Sequence, residues 1–288
     1  MAVVLSGLIL LISGFLAGAI TGLLGMGGSL MLVPVMMSLS FEPVQAVGSC
    51  SLAMFITTIS GSWSNWQSGN LGWQQVLTIG IPALITAQIG VYLASAVSPE
   101  FLLLVIALLI AINIYFKLKP VVQNQAKNYI TSESKIPETQ KFKNLFAFTS
   151  LEHLKQIAIG TMAGLISGLV GISGGVVIVP SQILLLQTEY EVAVQTSVGV
   201  MILSTGSAFI GHSLNGHVLL KESLILGSSG VLGIQCGTWL LINSRRIVNI
   251  SSQSVLVILI CGYLTWQTLI GVDKQLSLEM SQQRKIPN

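Results

Sequence analysis

The chain has 288 residues, 52% hydrophobic and only 8% charged, with 29 glycines and a formal net charge of +3; its mean hydropathy is +0.81. Soluble globular chains carry about 25% charged residues, whereas the first 116 residues here hold Glu42 and Glu100 as their only Asp, Glu, Lys or Arg. A soluble domain with such apolar faces would aggregate, and the basic residues form no aromatic-interleaved stripe of the kind that binds nucleic acid. The composition therefore predicts an all-α polytopic membrane protein with the lipid bilayer as its surroundings and no nucleic-acid partner.

A helix needs about 20 apolar residues to cross a bilayer. The first apolar stretch, 3–39, is nearly twice that and is interrupted by Gly25-Met26-Gly27-Gly28. Ala17-Gly18-Ala19 resembles a small-residue cleavage site, but no basic region precedes it and the apolar run continues, so it reads as mature structure. Segments 46–62, 76–94 and 101–118 follow. Residues 117–155 then carry seven Lys against three Glu, among many Gln, Asn and Ser. This polar linker is expected on the cytoplasmic side by the positive-inside rule. A second apolar series, 157–186, 193–210, 223–242 and 255–271, completes eight segments, two of them, 3–39 and 157–186, long and broken by glycine.

The expected organisation is a first transmembrane repeat at 1–118, a linker at 119–154, a second repeat at 155–272 and a polar tail at 273–288. The tail, with Lys274, Arg284 and Lys285, would join the linker in the cytoplasm. Arg245 and Arg246 conflict with simple counting, which puts them on the opposite side unless a broken segment re-enters. Cys50, Cys236 and Cys261 are far apart in apolar sequence and read as small buried hydrophobes.

The two halves match. Residues 14–34 read GFLAGAITGLLGMGGSLMLVP and residues 160–180 read GTMAGLISGLVGISGGVVIVP, with ten of 21 positions identical. After one inserted residue the match continues through Thr58/Thr205, Ser60/Ser207, Gln88/Gln235 and Gly90/Gly237. The chain is read as a tandem duplication of a four-segment unit, the first helix of each half being broken by a Gly-rich motif.

Gly14, Gly18 and Gly22, with Gly160, Gly164 and Gly168, give each first helix a smooth face that permits close helix approach in lipid. The clusters Gly25, Gly27, Gly28 with Ser29, and Gly171, Ser173, Gly174, Gly175, are different. Clustered glycine admits positive φ and breaks a helix, and irregular backbone at membrane depth must be buried or line a wet cavity. A half-helix starting there would present an anion-binding N-terminus. The bland alternative is a kink or packing contact. Gln88 and Gln235 are intramembrane amides at equivalent positions, candidates either for ligand contact or for cross-linking helices. Thr57, Thr58 and Ser60, with Ser204, Thr205 and Ser207, could line the same path or merely bond their own helix. Asn65 and His212 are matched at the ends of the second segments, and neither His212, His217 nor His153 has zinc-site spacing.

The repeated G-x-x-x-G-x-x-x-G-x-x-G-x-x-G-[SG]-x-x-x-x-P pattern, the downstream PVQAVGSCSL and YEVAVQTSVG stretches, and the turn from His212 to Gly216 are similar to the sulfite exporter TauE/SafE family of membrane transporters. The resemblance covers about residues 5–271. It implies a secondary or uniport carrier, a probable exporter, of a small anion such as sulfite or an organosulfur compound. The candidate substrate-binding set, read from the glycine breaks and the matched polar positions, is Gly25, Gly27, Gly28, Ser29, Gly171, Ser173, Gly174, Gly175, Gln88, Gln235, Asn65 and His212. No cofactor and no metal are implied, and oligomeric state is not set.

Two other readings compete. A passive anion channel would share the same residues. An intramembrane serine protease would use the Gly171-Ile172-Ser173-Gly174 motif with His212 as a Ser–His dyad. The first repeat, however, keeps the glycine pattern while holding Gly27 for Ser173 and Asn65 for His212, which makes backbone geometry the shared feature. The sequence holds no G-x-x-x-x-G-K-[ST] loop, so transport is expected to run on a gradient or the membrane potential.

Overall fold

The computed structural model describes residues 2–25, 27–67, 72–97, 150–171, 173–188 and 190–243, with 101, 102, 104, 105 and 108 besides. Among the described residues there are eight helices and no strand: α1 Ala2–Leu24, α2 Ser29–Ser38, α3 Pro43–Gln67, α4 Trp73–Ala96, α5 Ser150–Val170, α6 Gly175–Leu185, α7 Tyr190–Leu214 and α8 Leu220–Asn243. Five of them contain stretches long and apolar enough to cross a membrane: Ser6–Leu24, Pro43–Gln67, Trp73–Ala96, Tyr190–Leu214 and Leu220–Leu241. The first long apolar stretch ends its helix at Leu24, and the second ends its helix at Val170. Helix α5 begins at Ser150, inside the stretch assigned to the linker. Segment 255–271, the tail, Cys261 and most of 101–118 lie outside the described residues.

Helix α4 shows why these elements suit lipid. Val76, Ile79, Ala83 and Ala87 are buried while Leu77, Ile81, Ile85 and Ile89 are exposed, so both faces are apolar. Only a hydrocarbon surrounding accepts the outer face at no cost. Trp63, Trp66 and Trp73 cluster where α3 turns into α4, with ring centroids 5.2 and 6.3 Å apart. Exposed tryptophans of this kind mark a membrane–water boundary.

Glycine sets the tightest helix pairs. A Cβ at Gly14, Gly18 or Gly22 would meet backbone atoms of Leu226, Gly230 and Ile234 on α8. A Cβ at Gly160, Gly164 or Gly168 would meet those of Ile79, Ala83 and Ala87 on α4. Numbers rise together in both cases, so α1 runs parallel to α8, and α5 parallel to α4.

Other contacts extend these two sets. Gly227 lies against Ala53 and Ile56, Gly230 against Thr57, and Ile234 against Gly61, which makes α3 parallel to α8. Gly80 lies against Leu203 and Gly211 against Val91, and the Ser207 hydroxyl donates to the Leu84 carbonyl at 2.7 Å, which makes α4 parallel to α7. Between the sets the sense reverses: Gly61 meets Val198, while the Phe55 ring stacks on Phe209 with centroids 6.3 Å apart.

Helices α1, α3 and α8 thus run one way, and α4, α5 and α7 the other. Equivalent helices of the two halves, α1 with α5 and α3 with α7, are opposed, so the described parts of the repeats are inverted.

This arrangement also fixes the course of the broken segments. Helices α1 and α3 point the same way with only α2 and two short connections between them, so α2 must carry the chain back. A Cβ on Gly28 would meet the Ala17 backbone, and one on Gly174 the Ala163 backbone. In a continuous helix residues 17 and 28 would be about 16 Å apart. Each half therefore opens with a re-entrant hairpin, α1–α2 or α5–α6. Helix α8 ends at Asn243 on the face where α5 begins; Arg245 and Arg246 lie outside the described residues.

Candidate functional site

The two hairpin turns come from opposite halves and meet. Gly25, Gly27 and Gly171 have φ of +62°, +74° and +64°, a left-handed region that costs most other residues about 1–2 kcal/mol. The Ser197 hydroxyl fastens the first turn to α7, reaching the carbonyl oxygens of Gly25 and Val194 at 2.7 Å each. Gly171 lies against Val47 of α3 in the equivalent way.

Ser29 and Ser173 join the turns. The Ser173 N–H donates to Ser29 Oγ at 2.8 Å, and the two hydroxyls lie 3.4 Å apart. Gly27 lies flush on Ser173, whose side chain a Cβ there would strike. Both serines are wholly buried.

Gly28 and Gly174 precede the first residues of α2 and α6, and no side chain caps either helix. The Gly28 N–H donates to Thr21 Oγ1 at 2.6 Å, and Thr21 donates in turn to the Ala17 carbonyl at 2.7 Å. The equivalent hydroxyl, Ser167 Oγ, is buried with no partner among the described residues. Two short helices thus begin at one place and run apart. Each N-terminus carries roughly half a positive charge and donors without helical acceptors. Chemically the junction suits a small anion held by N–H and O–H groups without a resident cation.

The other sequence candidates lie elsewhere. Gln88 Nε2 donates to the carbonyl and hydroxyl of Ser207 at 2.7 and 2.8 Å. Gln235 Nε2 donates to the carbonyl and hydroxyl of Ser60 at 3.1 and 2.8 Å. The two amides are symmetry-equivalent clamps, α4 to α7 and α8 to α3, on the exposed flanks of the bundle. Thr57, Thr58 and Thr205 return their hydroxyl protons to carbonyl groups four residues earlier.

Asn65 and His212 are buried near the C-terminal ends of α3 and α7, at opposite faces of the bundle. His212 Nε2 lies 2.9 Å from the Gly168 carbonyl, so Nε2 carries the proton. Its Nδ1, like Asn65 Oδ1, has no partner among the described residues. No hydrogen bond joins His212 to Ser173: the ring is held by Gly168 and the serine faces Ser29 and Gly27. Nothing supports the protease reading.

Sequence reasoning missed a buried group at the linker end of the bundle, Gln75, Gln156, Gln182 and Thr196. Aligning the halves carries the signal. Gln156 and Gln182 stand where the first repeat has Leu10 and Met36.

The family described as Sulfite exporter TauE/SafE matches residues 10–264. The chain is 26% identical over 246 residues to "Probable membrane transporter protein YunE" of Bacillus subtilis, covering 81% of this chain and 88% of that one. A "Probable membrane transporter protein" of Xylella fastidiosa is 23% identical over 264 residues, covering 89% and 94%. No solved structure gives a significant match. With its re-entrant, apolar helices and a family match over most of its length, the chain is a multi-pass membrane protein that belongs to the TauE/SafE family of membrane transporters.

Proposed function

We propose that the protein carries small anions, sulfite or organosulfur anions among them, through the junction of its two re-entrant turns. The observation that carries this reading is the Ser173 N–H bond to Ser29 Oγ. It joins the start of one half-helix to the turn before the other, on the axis that relates the two halves. Inverted repeats with broken helices commonly place their substrate at such an axis, with half-helix N-termini facing the anionic group.

The anion is held by N–H groups of Ser29, Gly174 and Gly175 and by the hydroxyls of Ser29 and Ser173, while the Gly28 N–H is bonded to Thr21. Gly25, Gly27 and Gly171 let the backbone turn back toward it. Asn65 and His212 give the two mouths different chemistry. In the full chain each half has four segments with the first folded back on itself, and the linker faces the cytoplasm.

Neutral hydroxyls and partial helix charges bind an anion weakly enough to release it, as a carrier requires. An anion leaving a negative-inside cell gains about 2.3 kcal/mol per charge per 100 mV, which suffices for export without chemical energy. The test is flux in proteoliposomes with a potassium-diffusion potential, against sulfite, thiosulfate, sulfoacetate and small carboxylates. Potential-sensitive flux of at least one of these is expected. Tight vesicles with folded protein and no flux of any of them would refute it.

A further inference from the structure

Helix α4 of the first half and α5, α6 and α7 of the second bury a polar layer that the equivalent set, α8 with α1, α2 and α3, does not match. An apolar layer formed by Ile79, Ile159, Ile178 and Val200 joins α4, α5, α6 and α7. One turn further toward the linker face, the same faces carry Gln75, Gln156, Gln182 and Thr196. The helix registers agree: Ala87–Gly168, Ala83–Gly164 and Ile79–Gly160 are neighbours, and the next step pairs Gln75 with Gln156. Helix α6 runs back along α5, with Gly174 against Ala163 and Lys155 Nζ 3.2 Å from the Leu185 carbonyl, which brings Gln182 to the level of Gln156.

All four side chains are at most 4% exposed. Gln75 Oε1, both amide atoms of Gln156 and of Gln182, and Thr196 Oγ1 have no hydrogen-bond partner among the described residues. Buried polar groups are almost always partnered, and leaving six such atoms bare in one layer is costly. The equivalent layer of α1, α2, α3 and α8, where Glu222 stands for Gln75, shows that the fold does not require glutamine on the hairpin helices. Leu10 and Met36 occupy the positions of Gln156 and Gln182 inside an apolar cluster, and Ser49, the counterpart of Thr196, is engaged by the Leu219 N–H at 2.9 Å.

We infer that this layer is a binding site for a monovalent metal cation, sodium being the probe, held by the three glutamine side-chain oxygens and Thr196 Oγ1. Four helices each supply one oxygen, the donor type that alkali and alkaline-earth ions prefer. The layer contains no carboxylate to balance a divalent charge, and among the described residues no group of three His, Cys, Asp or Glu could hold a metal. Field direction agrees: Gln182 is in the last turn of α6, the negative end of the half-helix whose positive end faces the central junction. Glu191, 3% exposed, lies just over one turn further along α7. An anion in the layer would face these oxygens instead. A role in coupling ion to substrate rests on the transport reading above; binding of the ion does not.

The experiment compares the thermal unfolding midpoint of the purified full chain in sodium chloride and in choline chloride at equal ionic strength. The wild type should gain a few degrees in sodium. The double variant Gln156→Leu/Gln182→Met, which carries the first repeat's residues, should lose that gain and be at least as stable as wild type in choline. Thr196→Val removes one oxygen with little change of shape and should raise the sodium concentration for half the shift about tenfold or more. No sodium shift in the wild type, or a shift retained in the variants, overturns the site. Anion flux indifferent to a sodium gradient, with binding intact, overturns the coupling role. Sodium binding intact with no flux of any anion refutes the transport reading instead.

Discussion

Ser29→Ala and Ser173→Ala look alike on paper, and the structure separates them. Ser29 Oγ accepts the buried Ser173 N–H at 2.8 Å. Alanine at 29 removes the acceptor and strands that donor, which costs about 1–3 kcal/mol, or roughly 5- to 150-fold in the population of the joined junction. Alanine at 173 leaves the N–H bond in place and removes only a hydroxyl 3.4 Å from its neighbour, beyond the usual range for O–H···O bonds. Its loss should cost under about 1 kcal/mol. The assay pairs thermal unfolding in detergent with anion flux in proteoliposomes. Ser29→Ala should melt earlier and carry anion at a small fraction of the wild-type rate, while Ser173→Ala stays within about tenfold. The reverse order, with Ser173→Ala inactive and Ser29→Ala normal, would refute the geometry and restore Ser173 as a residue with chemistry of its own.

Other outcomes follow from single contacts. Gly18→Ala drives a Cβ into the Gly230 backbone and should cost about 1–3 kcal/mol as overpacking; Gly7→Ala on the same helix meets nothing within 4 Å and should be neutral or mildly stabilising, both read as melting temperature. Gln88→Leu and Gln235→Leu each break one interhelical clamp, worth about 0.6 kcal/mol and at most about 1.7; the apparent KM for anion should change little, and a rise beyond tenfold would return the amides to the substrate site. In a background freed of native cysteine, Lys155→Cys and Leu214→Cys should be labelled by impermeant reagents from opposite sides of the membrane, since α5 begins on the face opposite the end of α7; labelling from one side would contradict the return of α6 on which the inversion rests.

The all-helical, membrane-spanning character was legible from composition, and the helix ends at Leu24 and Val170 fall inside the matched stretches 14–34 and 160–180. The inversion was not. A repeated sequence reads the same in either orientation, and orientation depends on whether each unit crosses the membrane an odd or even number of times. The return of α2 and α6 changes that count by one, because each first helix then re-enters instead of crossing, and only contacts such as Gly28 on Ala17 show that the chain turns back.

The positive-φ turns at Gly25, Gly27 and Gly171 were legible because clustered glycine admits that backbone. Gln88 and Gln235 were ambiguous because an intramembrane amide can face a ligand or a neighbouring helix, and the sequence does not say which way it points. Gln156 stands beside Lys155 at the start of the second apolar series and Gln182 is a single amide in an apolar run, so neither marks a site in the sequence. Their meaning comes from α6 lying back along α5.

The central claim is that anion passes where the two turns meet, and the most direct measurement plugs that place. Gly28→Leu and Gly174→Leu put a side chain where a Cβ already meets the backbone of Ala17 or Ala163, beside the paired serines. Radiolabelled sulfite flux is followed in proteoliposomes, with detergent melting curves to select variants that remain folded. Folded Gly28→Leu or Gly174→Leu protein should show no flux above empty vesicles while the wild type transports. Wild-type flux through both plugged variants would contradict the account and place the pathway elsewhere.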